Sequence, residues 1–365
     1  RRPGPVYRCG STWFITSYDG VRFAQKNPDL FSSAKAFDGV ANAIRMIPLA
    51  IDPPKHADYR RVLDPMFGPK RMEAMDADLR AQLRGHIDAF APSGRCDVVA
   101  DLSYKFPTQA ILTLFGLPLE HLPQFLEWTY GIIKDREVGS LDAETASPRV
   151  IECSIALFGF LAEQLEIKRS HPGEDMLSSI LALDGDEAWS DEEILGLCFL
   201  IVLAGLDTVT GAIGYSMLNL ATNPELRQRL IADQSLIAPF VEEVLRLDGP
   251  VPGVPRRTTQ DVEVEGVLIP ADSPVLLMLG TANREVPSVA AAPNEMNLNA
   301  KPTHLGFGGG IHRCLGSHLA RRELRLTVEE FHARIPEYRL AGEAHTLWPA
   351  GTLGLEALPL EFEPC

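Results

Sequence analysis

One cysteine follows a run of glycines late in the chain, in a setting suited to a metal ligand. The segment reads Phe307-Gly308-Gly309-Gly310-Ile311-His312-Arg313-Cys314-Leu315-Gly316. The pattern predicts that Cys314 stands at the start of a helix, where free amide N–H groups and the helix dipole stabilise a thiolate. Glycines let a backbone pass close to a flat cofactor, and a metal-bound thiolate needs hydrogen-bond donors aimed at its sulfur. The loop therefore indicates a cofactor site with Cys314 as its ligand.

Other uses of a glycine-rich loop fit this segment less well. A phosphate-binding loop carries Lys followed by Ser or Thr, and both are missing here. A dinucleotide-binding loop follows a strand and spaces its glycines differently. Two alternatives stay open, namely a turn around a buried cysteine and a glycine-loop protein that binds no cofactor.

An acid and an alcohol stand side by side within an apolar stretch, as Asp207-Thr208. The stretch belongs to a helix predicted from Asp191 to Ala221, with Ser190 as its N-cap. Because buried polar groups are costly unless satisfied, Thr208 must bond a local carbonyl or face a cavity. A helix lined by hydroxyls and packed at a glycine is the alternative.

Glu243 and Arg246 lie three residues apart on one face of a helix predicted from Leu236 to Leu247. A Glu-x-x-Arg pattern alone is most often a surface ion pair.

The remaining pattern predicts a mainly α protein with a small β region. Further helices are expected over Met72 to Phe90, Ile151 to Arg169 and Leu315 to Phe331, and another begins at Pro224. Strands are expected at Trp13 to Thr16, around Gly266, and from Pro270 to Leu279, the last two forming a hairpin-like segment. Since no flexible linker divides the chain, residues 1–365 are predicted to form a single large domain.

Composition excludes several classes of protein. The 365 residues carry a net charge of -15, which argues against a surface that binds nucleic acid or an anionic membrane. No uninterrupted apolar run reaches the roughly 20 residues that span a bilayer. Six scattered cysteines without a CxxC pair, and no signal peptide, indicate a reduced, cytoplasmic protein. Because the chain opens abruptly at Arg1, we expect its natural N-terminus to be missing.

The three motifs together resemble those of the bacterial cytochromes P-450. The cysteine loop is similar to that family's FxxGxxxCxG signature, Ala204 to Thr208 to its oxygen-activation motif, and Glu243 with Arg246 to its ExxR, in the family's order. The resemblance implies the cytochrome P-450 fold, haem b with Cys314 as the iron ligand, and a monooxygenase that inserts one atom of O2 into a C–H or C=C bond.

The resemblance also implies roles for individual residues. Thr208 would hydrogen-bond the dioxygen and Asp207 would help to relay protons, while Gly205 would make room over the haem. Ala204, Phe307 and Gly308 would also contact the cofactor. Glu243 and Arg246 would form a buried structural pair.

The chain departs from the family pattern in two places. Val209 stands where a second Thr or Ser is frequent, and Glu295 stands where an Arg usually joins the ExxR pair. Either Arg246 lies between two carboxylates or Arg284 takes part, and the sequence leaves both open.

Four cationic or hydrogen-bonding residues match the family's order of haem-propionate ligands: His56, Arg60, Arg256 and His312. Carboxylates require such partners. Arg257 competes with Arg256 for this role.

By position in the family, seven apolar residues are predicted to line the substrate pocket: Phe37, Val40, Ile44, Leu203, Val251, Val254 and Leu353. Such a pocket suits a hydrophobic small molecule, although each residue fits a plain core equally well. A basic patch would steer an acidic electron donor, for which the resemblance implies a ferredoxin and its reductase. The patch would comprise Arg313, Arg321 and Arg322, with Arg61, Lys70 and Arg71.

Two rival functions keep the same scaffold. A peroxygenase would use hydrogen peroxide, but the Asp207-Thr208 pair serves the protonation of O2. A haem-based binding or sensing protein would bind haem through Cys314 and turn over no substrate.

Overall fold

The computed structural model describes residues 4–37, 45–134, 147–347 and 351–365. In it helices carry several predicted site residues, whereas Cys314 lies in a loop and Arg256 in a strand. The α-helices in these ranges are α1 (Tyr18–Lys26), α2 (Lys55–Met66), α3 (Pro69–Glu73), α4 (Asp76–Phe90), α5 (Lys105–Phe115), α6 (Leu122–Lys134), α7 (Pro148–Ser170), α8 (Met176–Leu181), α9 (Asp191–Thr222), α10 (Pro224–Ala232), α11 (Ile237–Leu247), α12 (Leu279–Ala282) and α13 (Ser317–Arg334). The strands are β1 (Val6–Cys9), β2 (Thr12–Ile15), β3 (Phe31–Ser32), β4 (Arg95–Asp97), β5 (Val254–Thr258), β6 (Val262–Val264), β7 (Val267–Ile269), β8 (Pro274–Leu277), β9 (Tyr338–Leu340), β10 (Thr346–Leu347), β11 (Gly354–Leu355) and β12 (Pro359–Phe362).

The long helix α9 organises the larger of two hydrophobic cores. Its start is fixed by a capping box, in which the Ser190 hydroxyl accepts the Glu193 N–H (3.2 Å) and the Glu193 carboxylate accepts the Ser190 N–H (2.9 Å). Within the core α9 packs against α5, α7, α11 and α13. Because its neighbours surround it, α9 can hold side chains rigidly over the cavity that lies beside it.

By length and composition, α9 is long and apolar enough to cross a membrane, unlike any other helix in the described ranges. Gly205 and Asp207 interrupt its apolar run, so the sequence alone predicts no membrane-spanning stretch here. However, 56% of its most apolar stretch is buried inside the protein. That packing is typical of the core helix of a soluble protein.

The β region divides differently from the prediction. Strands β6 and β7 form the expected hairpin, closed by Glu265 and Gly266, both with positive φ. The following apolar run does not extend it. Instead β8 joins a five-stranded sheet of order β1-β2-β8-β5-β3, in which β8 is parallel to β2 and antiparallel to β5. A turn at Asp272, also at positive φ, redirects the chain between the two sheets. This larger sheet carries the smaller core.

The helix predicted from Met72 to Phe90 is broken into α3 and α4. The break falls at Ala74 and Met75, where the Met75 N–H bonds the carbonyl of Met72 (3.2 Å), one residue closer than in an α-helix. Both helices still present their apolar sides to the larger core. The prediction of a single domain stays a prediction.

Candidate functional site

A large cavity lies between α9, the start of α13 and the cysteine loop, which we define as residues 306–316. It encloses about 1580 Å³ of space, including its open mouth. Its walls combine apolar side chains of α9 with the backbone and side chains of the cysteine loop.

Glycines give the cysteine loop its shape. Gly308 and Gly310 have φ values of 66° and 64°, in the left-handed region that other residues avoid. A Cβ atom on Gly310 would lie 1.9 Å from the carbonyl oxygen of Gln25 in α1. The loop then closes through a hydrogen bond from the Cys314 N–H to the Phe307 carbonyl (2.9 Å). Phe307, Gly308 and Cys314 all face the cavity, as predicted for the cofactor loop.

Two opposing influences act on the Cys314 thiol. Burial at the floor of the cavity raises its pKa, whereas the Gly316 N–H and the charges of Arg60, Arg321 and Arg313 act to lower it. The expected thiolate stabilisation by the loop is thus present but smaller than the effect of burial. A metal ion bound at the sulfur lowers a thiol pKa outright, so the sulfur environment suits a metal ligand. The described residues contain no cluster of three side chains able to hold a metal ion.

A cationic edge, defined as His56, Arg256 and His312, forms one wall of the cavity. The rings of His56 and His312 lie 4.3 Å apart, and the Nε2 atom of each is buried without a hydrogen-bond partner among the described residues. Arg256 is also buried, and its guanidinium donates to the adjacent Pro255 carbonyl (2.6 Å). Arg257 instead pairs with Asp272 (2.6 Å), away from the cavity.

Burial and mutual repulsion act against positive charge along this edge. Burial lowers the pKa of Arg256 to about 10. Burial, followed by the charges of Arg256 and His56, lowers the pKa of His312 to about 3, and burial also lowers that of His56. Buried polar atoms normally have partners. The buried nitrogens of His56, Arg256 and His312 therefore fit the two carboxylates of a haem. Arg60 also lines the cavity and pairs with Asp64 (2.7 Å).

One stripe of α9 faces the cavity. Ala204, Gly205 and Thr208 belong to it, and the Thr208 hydroxyl donates to the Ala204 carbonyl (2.6 Å). A Cβ atom on Gly205 would come within 3.1 Å of Ile111 on α5, so glycine also permits close packing here. Asp207 lies off this stripe and accepts a hydrogen bond from the Thr352 hydroxyl. The acid and the alcohol therefore point to adjacent sides of the helix.

Glu243 and Arg246 form a fully buried ion pair behind the cysteine loop. Arg246 Nε and Nη2 donate to the two Glu243 carboxylate oxygens at 2.7 and 2.8 Å. The remaining donors reach the backbone carbonyls of Pro293 (2.7 Å) and Glu295 (2.8 Å). Arg246 does not lie between two carboxylates, because Glu295 contributes its main chain and its side chain is exposed. Arg284 takes part by donating to the Arg246 carbonyl (3.0 Å).

The predicted substrate-pocket residues divide into three groups. Val251 and Val254 line the cavity. Phe37, Leu203 and Leu353 do not: Phe37 is packed in the core, and Leu203 shares the off-cavity side of α9 with Asp207. Val40 and Ile44 lie outside the described residues.

Several lining residues escaped the sequence analysis. On α9 they include Leu197, Leu200 and Ile201, which extend the stripe of Ala204 and Thr208 at helical spacing, so the sequence pattern could have identified them. Others come from distant segments, namely Gln25, Leu49, Ile111, Leu114, Leu245 and Glu323. Only the fold brings these together. Glu323 is a buried carboxyl group whose pKa burial raises well above its usual value.

Comparisons with known proteins agree with this geometry. A family model of cytochrome P450 matches residues 160–331. The chain is 32% identical to a vitamin D(3) 25-hydroxylase of Pseudonocardia autotrophica, over 97% of this chain and 89% of that one. It is 30% identical to the cytochrome P450 monooxygenase PikC of Streptomyces venezuelae, over 99% and 89%. Among solved structures, substrate-free CYP109E1 of Bacillus megaterium matches 100% of this chain and 97% of its own, with a TM-score of 0.90 and 27% identity.

Proposed function

The chain belongs to the cytochrome P450 family and is a haem-thiolate monooxygenase, and on that premise we propose which residues carry the reaction and what substrate it takes. The observation that carries the proposal is the cavity itself. Cys314 lies on its floor, and one edge holds Arg256 with two histidines whose Nε2 atoms have no partner among the described residues. An apolar stripe of α9 with a single hydroxyl forms a wall.

The residues present fit the family's cofactor, haem b. Cys314 would hold the iron, and His56, Arg60, Arg256 and His312 would hold the propionates, while Ala204, Gly205, Phe307 and Gly308 would contact the ring. When bound, haem supplies the activation of oxygen that amino-acid side chains cannot perform, and the protein supplies positioning and protons.

Thr208 is the proposed proton donor into the cavity. The Thr208 hydroxyl donates a hydrogen bond to the Ala204 carbonyl, with 2.6 Å between the two oxygens. Thr208 can exchange this hydrogen bond for one to a group inside the cavity. Asp207, one residue earlier, holds its carboxylate outside the cavity with the Thr352 hydroxyl as a donor. We propose that Asp207 resupplies the proton that Thr208 delivers.

The proposed substrate is a hydrophobic small organic molecule. Apart from Thr208, the lining side chains of α9 are hydrocarbon, and Val251 and Val254 face them. Relatives are named as acting on molecules of this kind: one is a vitamin D(3) 25-hydroxylase, and another is a methyl-branched lipid omega-hydroxylase. Apolar walls exclude water and orient such a molecule through shape.

The proposed electron source is a separate ferredoxin with its reductase, in the cytoplasm. Of the predicted basic patch, Arg321 pairs with Glu242 (2.6 Å) and Arg322 with Asp76 (3.0 Å). Arg313 and Lys70 are exposed and form no ion pair within the described ranges. The docking charge is thus concentrated near Arg313, and Arg313→Ala should slow reduction by a surrogate ferredoxin, most clearly at low ionic strength.

The first test is the absorption spectrum of the reduced protein with carbon monoxide. We expect the red-shifted Soret band of a haem-thiolate protein, and its loss in Cys314→Ala. Absence of the band in the wild type would overturn the assigned ligand.

A second test addresses proton delivery. With a surrogate ferredoxin system, Thr208→Ala should consume NADH and O2 with about 100-fold less product per NADH. Thr210→Ala is the matched control, because the Thr210 hydroxyl bonds the Ser103 carbonyl (2.7 Å) in the core. Equal coupling in both variants would exclude the role of Thr208, and product formed with peroxide alone would favour a peroxygenase.

A further inference from the structure

Three polar side chains form a cluster behind the cysteine loop that the reaction described above does not use. We call it the Glu242 cluster: Glu242 of α11, His304 before the loop, and Arg321 of α13. The Glu242 carboxylate accepts Arg321 Nε at 2.6 Å and Arg321 Nη2 at 2.9 Å. His304 Nε2 lies 2.9 Å from the same carboxylate. One carboxylate therefore joins the two segments that flank Cys314.

Each partner of Glu242 contacts the loop directly. His304 Nδ1 accepts the Gly306 N–H (3.1 Å), so its proton lies on Nε2 and is donated to Glu242. The Arg321 guanidinium lies over the face of the Phe307 ring, 4.4 Å from its centre. The carbonyl of Phe307 in turn accepts the Cys314 N–H. A continuous series of contacts therefore connects Glu242 to Cys314.

Charge links the cluster to the sulfur as well. Arg321 is one of three arginines whose positive charges favour the Cys314 thiolate. Glu242 binds Arg321 through both oxygens and thereby offsets much of that charge. The balance within this pair decides how much positive potential reaches the sulfur.

We infer that Glu242 is a positioning residue which, through Arg321 and His304, sets the electrostatic potential at the Cys314 sulfur and so tunes the reduction potential of the haem iron. The inference rests on the proposed role of Cys314 as the iron ligand. A less negative environment around a thiolate favours the reduced metal, because reduction adds an electron to the site. Loss of Glu242 and loss of Arg321 must therefore shift the potential in opposite directions.

The test is a redox titration of the holoproteins, with the ferrous–CO spectrum of each as a second readout. At a fixed poise, Glu242→Gln should raise the ratio of reduced to oxidised protein about tenfold, the order that one charge inside a protein produces. Arg321→Gln should lower that ratio by a similar factor. Glu330→Gln is the matched control: Glu330 is a carboxylate that likewise binds two basic side chains, Arg80 and Arg84, but it lies outside the cavity lining.

Shifts in the same direction for Glu242→Gln and Arg321→Gln would show a loosened loop rather than electrostatic tuning, and would overturn the inference. So would shifts no larger than that of Glu330→Gln. If Glu242→Gln fails to retain haem, Glu242→Asp keeps the charge and must restore the wild-type potential; a shifted potential in that variant refutes the role. A wild type without the thiolate–CO band would instead remove the proposed function, and the inference with it.

Discussion

Two groups of buried charge lie on either side of the cysteine loop, and they differ in how their hydrogen bonds are satisfied. Behind the loop, the Glu243–Arg246 pair is fully buried and finds carbonyl partners for the remaining guanidinium donors. The Asn297 N–H adds a further bond to the Glu243 carboxylate (2.7 Å). At the cationic edge, His56 and His312 each bury an Nε2 atom without a partner in the described part of the chain.

This difference separates a structural site from a binding site. A buried charge or polar group without a partner destabilises a fold by several kcal/mol, so most are satisfied internally. The Glu243–Arg246 pair is self-sufficient and serves the fold. The cationic edge is incomplete without an anion, and its members come from α2, β5 and the cysteine loop. Such an edge fits an anionic ligand, and we propose that it binds the propionates of haem.

The largest expected effect comes from breaking the satisfied pair. Arg246→Met leaves the Glu243 carboxylate buried without its counter-charge, and we expect a loss of about 3–5 kcal/mol in the free energy of unfolding. Urea unfolding followed by far-UV circular dichroism measures it. The double variant Glu243→Leu/Arg246→Met should recover part of the loss, because no buried charge remains. A loss below about 1 kcal/mol in Arg246→Met would contradict the comparison.

A third buried group tests whether an orphaned atom is sufficient to indicate a ligand. His332 of α13 buries its Nδ1 without a partner in the described ranges, but it lies outside the cavity lining and its Nε2 contacts the Tyr338 hydroxyl (3.0 Å). Burial, and then the charge of Arg227, lowers the pKa of His332 to about 4. The unfolded chain binds this proton near pH 6.5, so stability is present above that pH and is lost as the pH falls towards 4.

The expected loss due to His332 between pH 7 and pH 4 is on the order of 3 kcal/mol. His332→Gln should remove that part of the pH dependence, measured as the difference between the two urea-unfolding profiles. His171→Gln, at the exposed end of α7, is the control. Parallel profiles for wild type and His332→Gln would show that the orphaned nitrogen has no energetic consequence.

At the cationic edge the effect should appear in haem retention rather than in folding. Arg256→Met removes a charge that is buried without an ion-pair partner among the described residues, so the free energy of unfolding of the haem-free chain should not fall. Loss of a charge-assisted bond to a propionate, worth about 1.5–3 kcal/mol, should speed haem release about 10- to 100-fold. Transfer of haem to excess apomyoglobin gives this rate.

Arg257→Met is the matched control for Arg256→Met. It changes the neighbouring residue, whose side chain bonds Asp272 at the surface. We expect wild-type haem release from it. Equal rates in the two variants would mean that the cationic edge does not hold the cofactor.

The sequence alone identifies the cysteine loop and the Glu243–Arg246 pair as candidate sites because each lies within a short segment with its own spacing. It also predicts α9, because capping at Ser190 and apolar composition are local signals. The partners of Arg246 could not be predicted, since backbone carbonyls have no sequence signature and only the path of residues 293–297 presents them. The same holds for β8, which pairs with strands far away in the chain.

The cavity lining shows this limit most clearly. Helical spacing on α9 predicts the stripe that contains Thr208, and the same spacing excludes Leu203 from that stripe. Ile111 and Leu114, however, are ordinary apolar residues of α5 and reach the cavity only because α5 packs against α9. Burial of a side chain can be expected from its type, but which cavity it faces depends on tertiary packing.

The smallest expected effect concerns the loop that joins the two charged regions. Gly308 has a φ of 66° and a nearest potential Cβ contact of 3.8 Å, so Gly308→Ala meets backbone strain without a clash. We expect it to lower the free energy of unfolding by about 1–2 kcal/mol. Gly85→Ala provides a control of opposite sign: Gly85 lies inside α4 with open space around it, and alanine should stabilise that helix by about 0.5–1 kcal/mol. If Gly308→Ala lowers the free energy of unfolding and leaves haem release unchanged, the loop conformation serves the fold, as the Glu243–Arg246 pair does. If haem release accelerates as well, the loop conformation also serves haem binding, as we propose for the cationic edge.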